Sequence, residues 1–327
     1  MSHANDIDQA AAILKQGGLV AFPTETVYGL GADATNTTAI AKIFGAKGRP
    51  STNPLIVHVA DVATAKRFTT GWSDVAERLA EKFWPGPLSI VLPKAASIAL
   101  NVTAGKETVG LRVPNHPVAL ELLRQFGGAI AAPSANKSNH VSPTTAAHVR
   151  DELGDAVDMV LDGGACEVGI ESTVLDLSTG IPTILRPGGV SREQIEAVIG
   201  PVAMHGHNVV TTDVAASSPG QLAVHYAPRT AAFRFDTPQR PLIPGDDTIG
   251  LIVVGTGNDL HEWGPIVAMP KLPDQYAKHF YAVLRRVDGI GLKSIFIEMP
   301  PDAPEWTAVR DRITRATRLL GAWYANL

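Results

Sequence analysis

From residue 19 to about residue 200 the chain alternates short apolar runs with amphipathic ones, the pattern of strands interleaved with helices. Strands are expected at 19–22, 54–59, 88–92, 109–113, 129–132 and 157–161. Those at 173–177 and 183–185 face each other as a hairpin across Ser178-Thr179-Gly180. Helices are expected in the N-terminal segment up to Gly18, where Ile7, Ala10, Ala11 and Leu14 share a side, and at 38–44, capped by Asn36 or Thr37. Others follow at 73–83, 117–126, 144–153 and 192–199. Ser73 caps the first of these, Trp84-Pro85-Gly86-Pro87 stops it, and Gly127-Gly128 and Gly200 end two more. This is an α/β domain. Several strand-to-strand connections are too short for a crossover helix, so antiparallel pairs must occur among the parallel ones.

Residues 200–230 break the pattern. They are polar and small, without a clear period, and read as a tether between domains. Beyond them a smaller β/α unit is expected, with strands at 249–254 and 294–298, a helix at 274–287 and a long helix over 304–320. The resulting division is a catalytic domain over 1–204, a linker over 205–240 and a small α/β domain over 241–327.

Composition narrows the class. An apolar fraction of 45% with 18% charged residues suits a globular protein with a sizeable core. Lys plus Arg minus Asp plus Glu is 16 − 20 = −4 for residues 1–200 and 12 − 12 = 0 for the rest, so neither part carries a broad nucleic-acid footprint. Cys166 stands alone, which removes a disulfide framework and a cysteine zinc site within one chain. The N-terminus lacks the basic and long apolar stretches of a signal peptide, and no run reaches the ~18–20 apolar residues of a membrane span. A cytoplasmic, reduced protein without a membrane partner is expected.

Two short phrases hold the most suggestive chemistry. Lys47-Gly48-Arg49 offers two cations at i and i+2, and Ser134-Ala135-Asn136 a hydroxyl and a carboxamide at the same spacing. In extended segments such pairs point to one side, about 6–7 Å apart. Brought together they make a cradle for a polyphosphate. Around them lie Thr26 in Pro23-Thr24-Glu25-Thr26-Val27-Tyr28-Gly29-Leu30-Gly31, Asn53 just before the apolar run PLIVHV and His58 inside it, and Thr108 and Arg112 in one alternating strand. His58 is either a satisfied core residue or a ligand-facing one. Arg112 either grips a carboxylate bidentately or closes a salt bridge on the strand face. Ser142, Ser172 in Gly169-Ile170-Glu171-Ser172, Arg186, and the His225-Tyr226-Ala227-Pro228 phrase complete the set. No Walker, dinucleotide or serine-hydrolase pattern is completed, and the ten histidines show no metal-ligand spacing, so no protein-held metal site is expected.

Together FPTETVYGLGA, KGRPSTNPLIVHV, WPGPLSIVL, TVGLRVPNHP, APSAN, GIESTVLDL and ILRPG resemble the motifs of the threonylcarbamoyl-AMP synthases, in order, in their long two-domain form. The resemblance implies a YrdC-like twisted mixed sheet with flanking helices, plus a smaller Rossmann-like α/β C-terminal domain. It implies that L-threonine, bicarbonate and ATP become threonylcarbamoyl-AMP and pyrophosphate, for threonylcarbamoyladenosine formation next to the tRNA anticodon by a separate transferase. Lys47 and Arg49 would be catalytic. Thr26, His58, Arg112, the backbone of Ala132, and Ser172 would hold threonine. Lys47, Arg49, Asn53, Thr108, Ser134, Asn136, Ser142, Arg186 and Tyr226 would hold ATP, with Mg²⁺ carried by its phosphates and Tyr226 closing over the site. Where the family shows Ser-Pro-Gly-Met-Lys, this chain has Ser218-Pro219-Gly220-Gln221-Leu222.

The residue chemistry agrees with that reaction. A carbamate oxygen must attack the α-phosphorus while charge builds on the departing pyrophosphate, which two cations stabilise. No general base for the threonine amine is evident. Two other readings stand beside it: a non-catalytic protein using the Lys47/Arg49 groove to bind double-stranded RNA or tRNA, and carbamoyl transfer in hydrogenase maturation. The length and the single cysteine count against the latter.

Overall fold

The structure, a computed structural model, describes residues 2–205, 225–237, 248–257, 259–263 and 265–324. Most of the expected linker, including Ser218–Leu222, lies outside these residues. The chain divides into two units. One comprises Met1–Ser138, Pro143–Glu167 and Glu171–Leu222; the other takes Asn139–Ser142, Val168–Ile170 and Ala223–Leu327.

In the first unit the strands are β1 (Val20–Phe22), β2 (Gly29–Asp33), β3 (Ile56–His58), β4 (Leu88–Pro93), β5 (Thr108–Arg112), β6 (Ile130–Ala131), β7 (Met159–Val160), β8 (Thr173–Asp176), β9 (Thr183–Arg186) and β10 (Ala203–Met204). They form one sheet in the order β10-β9-β8-β4-β5-β3-β6-β2-β1-β7. The pairs β1/β7, β3/β5, β4/β8 and β9/β10 are parallel and the others antiparallel. The sheet is therefore mixed, as the short connections require. Helices Asp74–Phe83, Pro117–Phe126 and Arg192–Ile199 end where the sequence places them, capped by Ser73 at the start of the first, by left-handed Gly127 at the end of the second and by a Ser191/Gln194 capping box on the third.

Strand alternation sorts the residues between two faces. Leu55, Val57 and Val59, Leu88, Ile90 and Leu92, and Val109 and Leu111 all enter the main core, packed under helices Thr37–Lys47, Asp74–Phe83, Ala146–Leu153 and Arg192–Ile199. Their strand neighbours Ile56, His58, Ser89, Val91, Thr108, Gly110 and Arg112 point the other way. On that second face the N-terminal helix and helix Pro117–Phe126 cover Val20, Phe22, Ile130 and Ala132. The adjoining apolar cluster of Ile56, Val91, Val174 and Leu185 draws no residue from a helix. A polar, buried stretch of sheet is thereby left for a site.

Three expectations change. Residues 29–33, where no strand is expected, form β2 antiparallel to β1, and Tyr28 is fully buried, its hydroxyl bonded to the Gly163–Gly164 backbone. Helix Thr37–Lys47 runs three residues beyond the expected end, past Gly45 to a left-handed Gly48 at φ +59°. Lys47-Gly48-Arg49 is thus a helix terminus and cap, and Ser134-Ala135-Asn136 is a bend; neither is extended.

In the second unit β11 (Ala231–Phe235), β12 (Ile249–Val254), β13 (His261–Trp263), β14 (Ile266–Met269), β15 (Ser294–Glu298) and β16 (Arg318–Leu319) pair in the order β13-β14-β12-β15-β11-β16. All pairs are parallel except β13/β14. Strand β11 comes from residues read as linker. The long helix expected over 304–320 is instead a 3₁₀ turn at Pro304–Trp306, helix Thr307–Ala316 and strand β16. Extended Thr317 ends the helix, its hydroxyl bonded back to Ile313 and its carbonyl taken by Arg234.

Candidate active site

The two tripeptides meet. Lys47, the last residue of its helix, turns its ammonium onto the carbonyl oxygens of Ser134, at 2.6 Å, and of Asn136. Ser138 N–H closes the loop onto the Lys47 carbonyl. Burial, and next the Arg49 charge, hold the Lys47 pKa well below the lysine range, while Glu152 acts the other way. Arg49 reaches round the following turn to the carbonyls of Asn53 and, at 3.1 Å, of Pro54. Two mutually repelling cations are thus held in a buried corner by backbone carbonyls, an arrangement that favours an anionic ligand. Both amide atoms of Asn53 are buried without a hydrogen-bond partner among the described residues.

Four residues beyond Pro54, about 13 Å along an extended strand, comes His58. It is buried on the second face with its ring edge-on to Phe22 at 5.9 Å, and its Nδ1 has no hydrogen-bond partner among the described residues. Burial, then Arg112, lower its pKa to about 3, so the imidazole is neutral near pH 7. The parallel register sets Arg112 beside it. Arg112 donates Nε to Gly86 O at 3.2 Å and Nη1 to Thr26 Oγ1 at 3.0 Å, and its Nη2 lies 2.8 Å from Glu25 Oε2 in an ion pair. The strand-face salt bridge therefore exists; Nε and Nη1 each donate one hydrogen bond, while Nη2 makes the ion pair without a hydrogen bond among the described residues, which leaves N–H groups for a ligand.

Ser172 faces this group from β8's entrance. Its hydroxyl is 2.8 Å from Ser89 Oγ, and Arg186 grips its carbonyl through Nε and Nη2 and its hydroxyl through Nη2. Gly188 packs against the same backbone: a Cβ there would sit 2.4 Å from Glu171 O and Thr173 N. Thr108 opens β5 on the second face, opposite Pro93. Ala132 N–H is committed to Ile56 O, so its carbonyl is what it can offer. Ser134 bridges to Gly29, and Asn136 Nδ2 donates to Lys137 O. Cys166 is buried, and burial pushes its thiol up to about 12, unsuited to a nucleophile.

Ser142 and Tyr226 belong to the second unit. There Tyr226, at φ +61°, is buried beneath the Arg312 guanidinium, 5.0 Å from its ring centroid, and beside His225 and Tyr281. Arg285 donates to Ser142 O at 3.3 Å.

Sequence reasoning missed two contributors. Ser89 lies inside an expected strand and Glu25 inside the 23–31 motif, and neither carries a role in the sequence analysis. A lone carboxylate in a run of small residues was the available signal, since a buried charge needs a partner.

Residues 12–188 match the Sua5/YciO/YrdC family, described as Telomere recombination. This defines the first unit as a YrdC-like domain. Residues 190–317 match the family described as Threonylcarbamoyl-AMP synthase, C-terminal domain. The curated threonylcarbamoyl-AMP synthase of Pyrococcus abyssi is 38% identical over 94% of this chain and 93% of its own length. That of Bacillus subtilis is 51% identical over 68% of this chain, a match spanning 64% of the relative. The crystal structure of P. abyssi Sua5 complexed with L-threonine superposes with a TM-score of 0.85 at 35% identity, covering 96% of each chain. The chain belongs to the threonylcarbamoyl-AMP synthases, enzymes of the nucleotidyltransferase type. The non-catalytic RNA-binding reading gains no support from these likenesses.

Proposed function

We propose that this chain condenses L-threonine, bicarbonate and ATP into threonylcarbamoyl-AMP on the second face of its first sheet, releasing water as the amine and bicarbonate form the carbamate and pyrophosphate as the carbamate is adenylated. The product then serves threonylcarbamoyladenosine formation in tRNA. The observation that carries the proposal is the meeting of Lys47 with the Ser134–Asn136 bend, Arg49 beside it, at one end of β3, while Arg112 stands at the other end.

The division of labour follows from charge. Arg112's remaining N–H groups take the threonine carboxylate, with Thr26, neutral His58, the Ala132 carbonyl and Ser172 around the rest of the amino acid. Lys47 and Arg49 face the triphosphate, assisted by Asn53, Thr108, Ser134, Asn136 and Arg186. Ser142 and Tyr226 are assigned to the nucleotide by their motifs. Mg²⁺ enters with the phosphates, and no protein metal cluster was found among the described residues. The carbamate oxygen attacks the α-phosphorus, the bond to the β-phosphate oxygen breaks, and the two cations stabilise charge on the departing pyrophosphate. Holding three reactants in line supplies much of the acceleration. No helix among the described residues is long and apolar enough to cross a membrane.

The test is pyrophosphate release that requires both threonine and bicarbonate. An Arg112→Ala variant should raise the threonine KM far more than the ATP KM. Pyrophosphate release independent of threonine would overturn the assignment.

A further inference from the structure

The assignments above offer the amino group of threonine only uncharged acceptors, such as the Ala132 carbonyl, and no counter-charge. A zwitterion bound by a guanidinium alone would bring an unmatched ammonium into a buried site, at considerable cost. The sheet face already holds the complement. Glu25 is 3% exposed, and its Oε2 pairs with Arg112 Nη2 and accepts the Asn115 N–H at 3.0 Å. Its other oxygen, Oε1, is buried with no hydrogen-bond donor among the described residues. A carboxylate oxygen in that state is costly, and an ammonium donor removes the cost.

We propose that Glu25 Oε1 receives the α-ammonium of the amino-acid substrate beside the Arg112 that receives its carboxylate. This rests on the proposed function and adds to it the group that selects an amine. The neutral Glu25–Arg112 pair then presents one charge of each sign to a ligand that carries one of each. A simple carboxylate would meet Glu25 with nothing to offer it. Neighbouring Thr26 holds the guanidinium through Nη1, so the pair keeps its orientation when a ligand enters.

The probe is a pair of ligands: L-threonine and (R)-3-hydroxybutyrate, which is threonine without its amino group. Binding to the full chain is measured by calorimetry, with competition for the weaker ligand. A hydrogen bond between charged groups is worth about 1.5–3 kcal/mol, or roughly 10–150-fold. Wild-type protein should therefore prefer threonine by at least about 10-fold. In Glu25→Gln that preference should collapse: threonine binding weakens by the same factor, while (R)-3-hydroxybutyrate binds as before or more tightly. Equal weakening of both ligands would show that Glu25 only orients Arg112, and would overturn the proposal. So would a wild-type protein that does not distinguish the two, a measurement that needs no variant to fold. Failure of the enzymatic reading is distinct, since it would appear as absent threonine-dependent turnover in the wild type.

Discussion

Replacing Lys47 by methionine keeps an unbranched side chain one atom shorter and removes its charge. In the structure that ammonium does two things. It supplies a donor to the Ser134 and Asn136 carbonyls, and in the reaction proposed above it faces the triphosphate. Orphaning a buried carbonyl costs about 1–3 kcal/mol. Two would cost about 2–6 kcal/mol if neither relaxed, but the variant is also spared a desolvated cation repelled by Arg49. A net loss of about 1–3 kcal/mol in stability is expected, enough to measure and too little to unfold the domain. Catalysis should suffer more. Losing one preorganised charge donor at a reacting centre typically costs about 10²–10³-fold in kcat. The assay is threonine- and bicarbonate-dependent pyrophosphate release at saturating ATP, run beside urea unfolding of the same preparation. A folded Lys47→Met enzyme within about threefold of wild-type kcat would refute the electrostatic role. Lys47→Arg should also fail, because a planar fork does not fit the two carbonyls as a compact ammonium does.

Three further outcomes are expected. His58 is held neutral down to about pH 3 in the folded state, whereas the unfolded chain takes up the proton near 6.5. Stability is therefore lost as pH falls from 6.5 toward 3, and wild type should lose about 2 kcal/mol more between pH 7 and 4.5 than His58→Gln in urea unfolding. Gly188→Ala must displace the backbone at Glu171 and Thr173, so it should lower stability by about 1–3 kcal/mol and raise the threonine KM through Ser172; an unchanged KM would detach that segment from the site. Arg112→Met should destabilise by about 3–5 kcal/mol because it strands the buried Glu25 charge, and adding Glu25→Gln should restore part of the loss in a thermal melt; a double variant no more stable than the single one would deny the coupling.

Local signals carried much of this fold. Proline-started and glycine-ended helices such as 117–126 and the serine-capped 73–83 are written in their own termini, and the 173–186 hairpin in its turn. Where sequence reading failed, tertiary pairing had overruled local preference. Gly29–Asp33 has no β-branched residue, yet it is a strand because β1 and β6 flank it. Arg318–Leu319 sits within a helical pattern, yet it pairs with β11. At the site the motifs named most of the residues brought together, but the geometry assumed for them was wrong. Lys47 and Arg49 converge with Ser134 through a helix cap and a bend, which spacing in an extended chain cannot show. Glu25 was flagged only by its lone charge, and its pairing was not legible because Arg112 lies far away in sequence.

The fold also bears on attempts to prune the protein. Asn139–Ser142 and Val168–Ile170 sit early in the chain but join the later unit, where the Asn139 carbonyl takes Ala227 N–H and Arg285 donates to the Val141 and Ser142 carbonyls. Gly169 lies so close to the backbone at Ala277 and Lys278 that no side chain fits between them. A fragment ending near residue 204 would therefore keep two loops shaped for a neighbour it no longer possesses. Minimal versions of the enzyme would have to redesign those loops rather than inherit them.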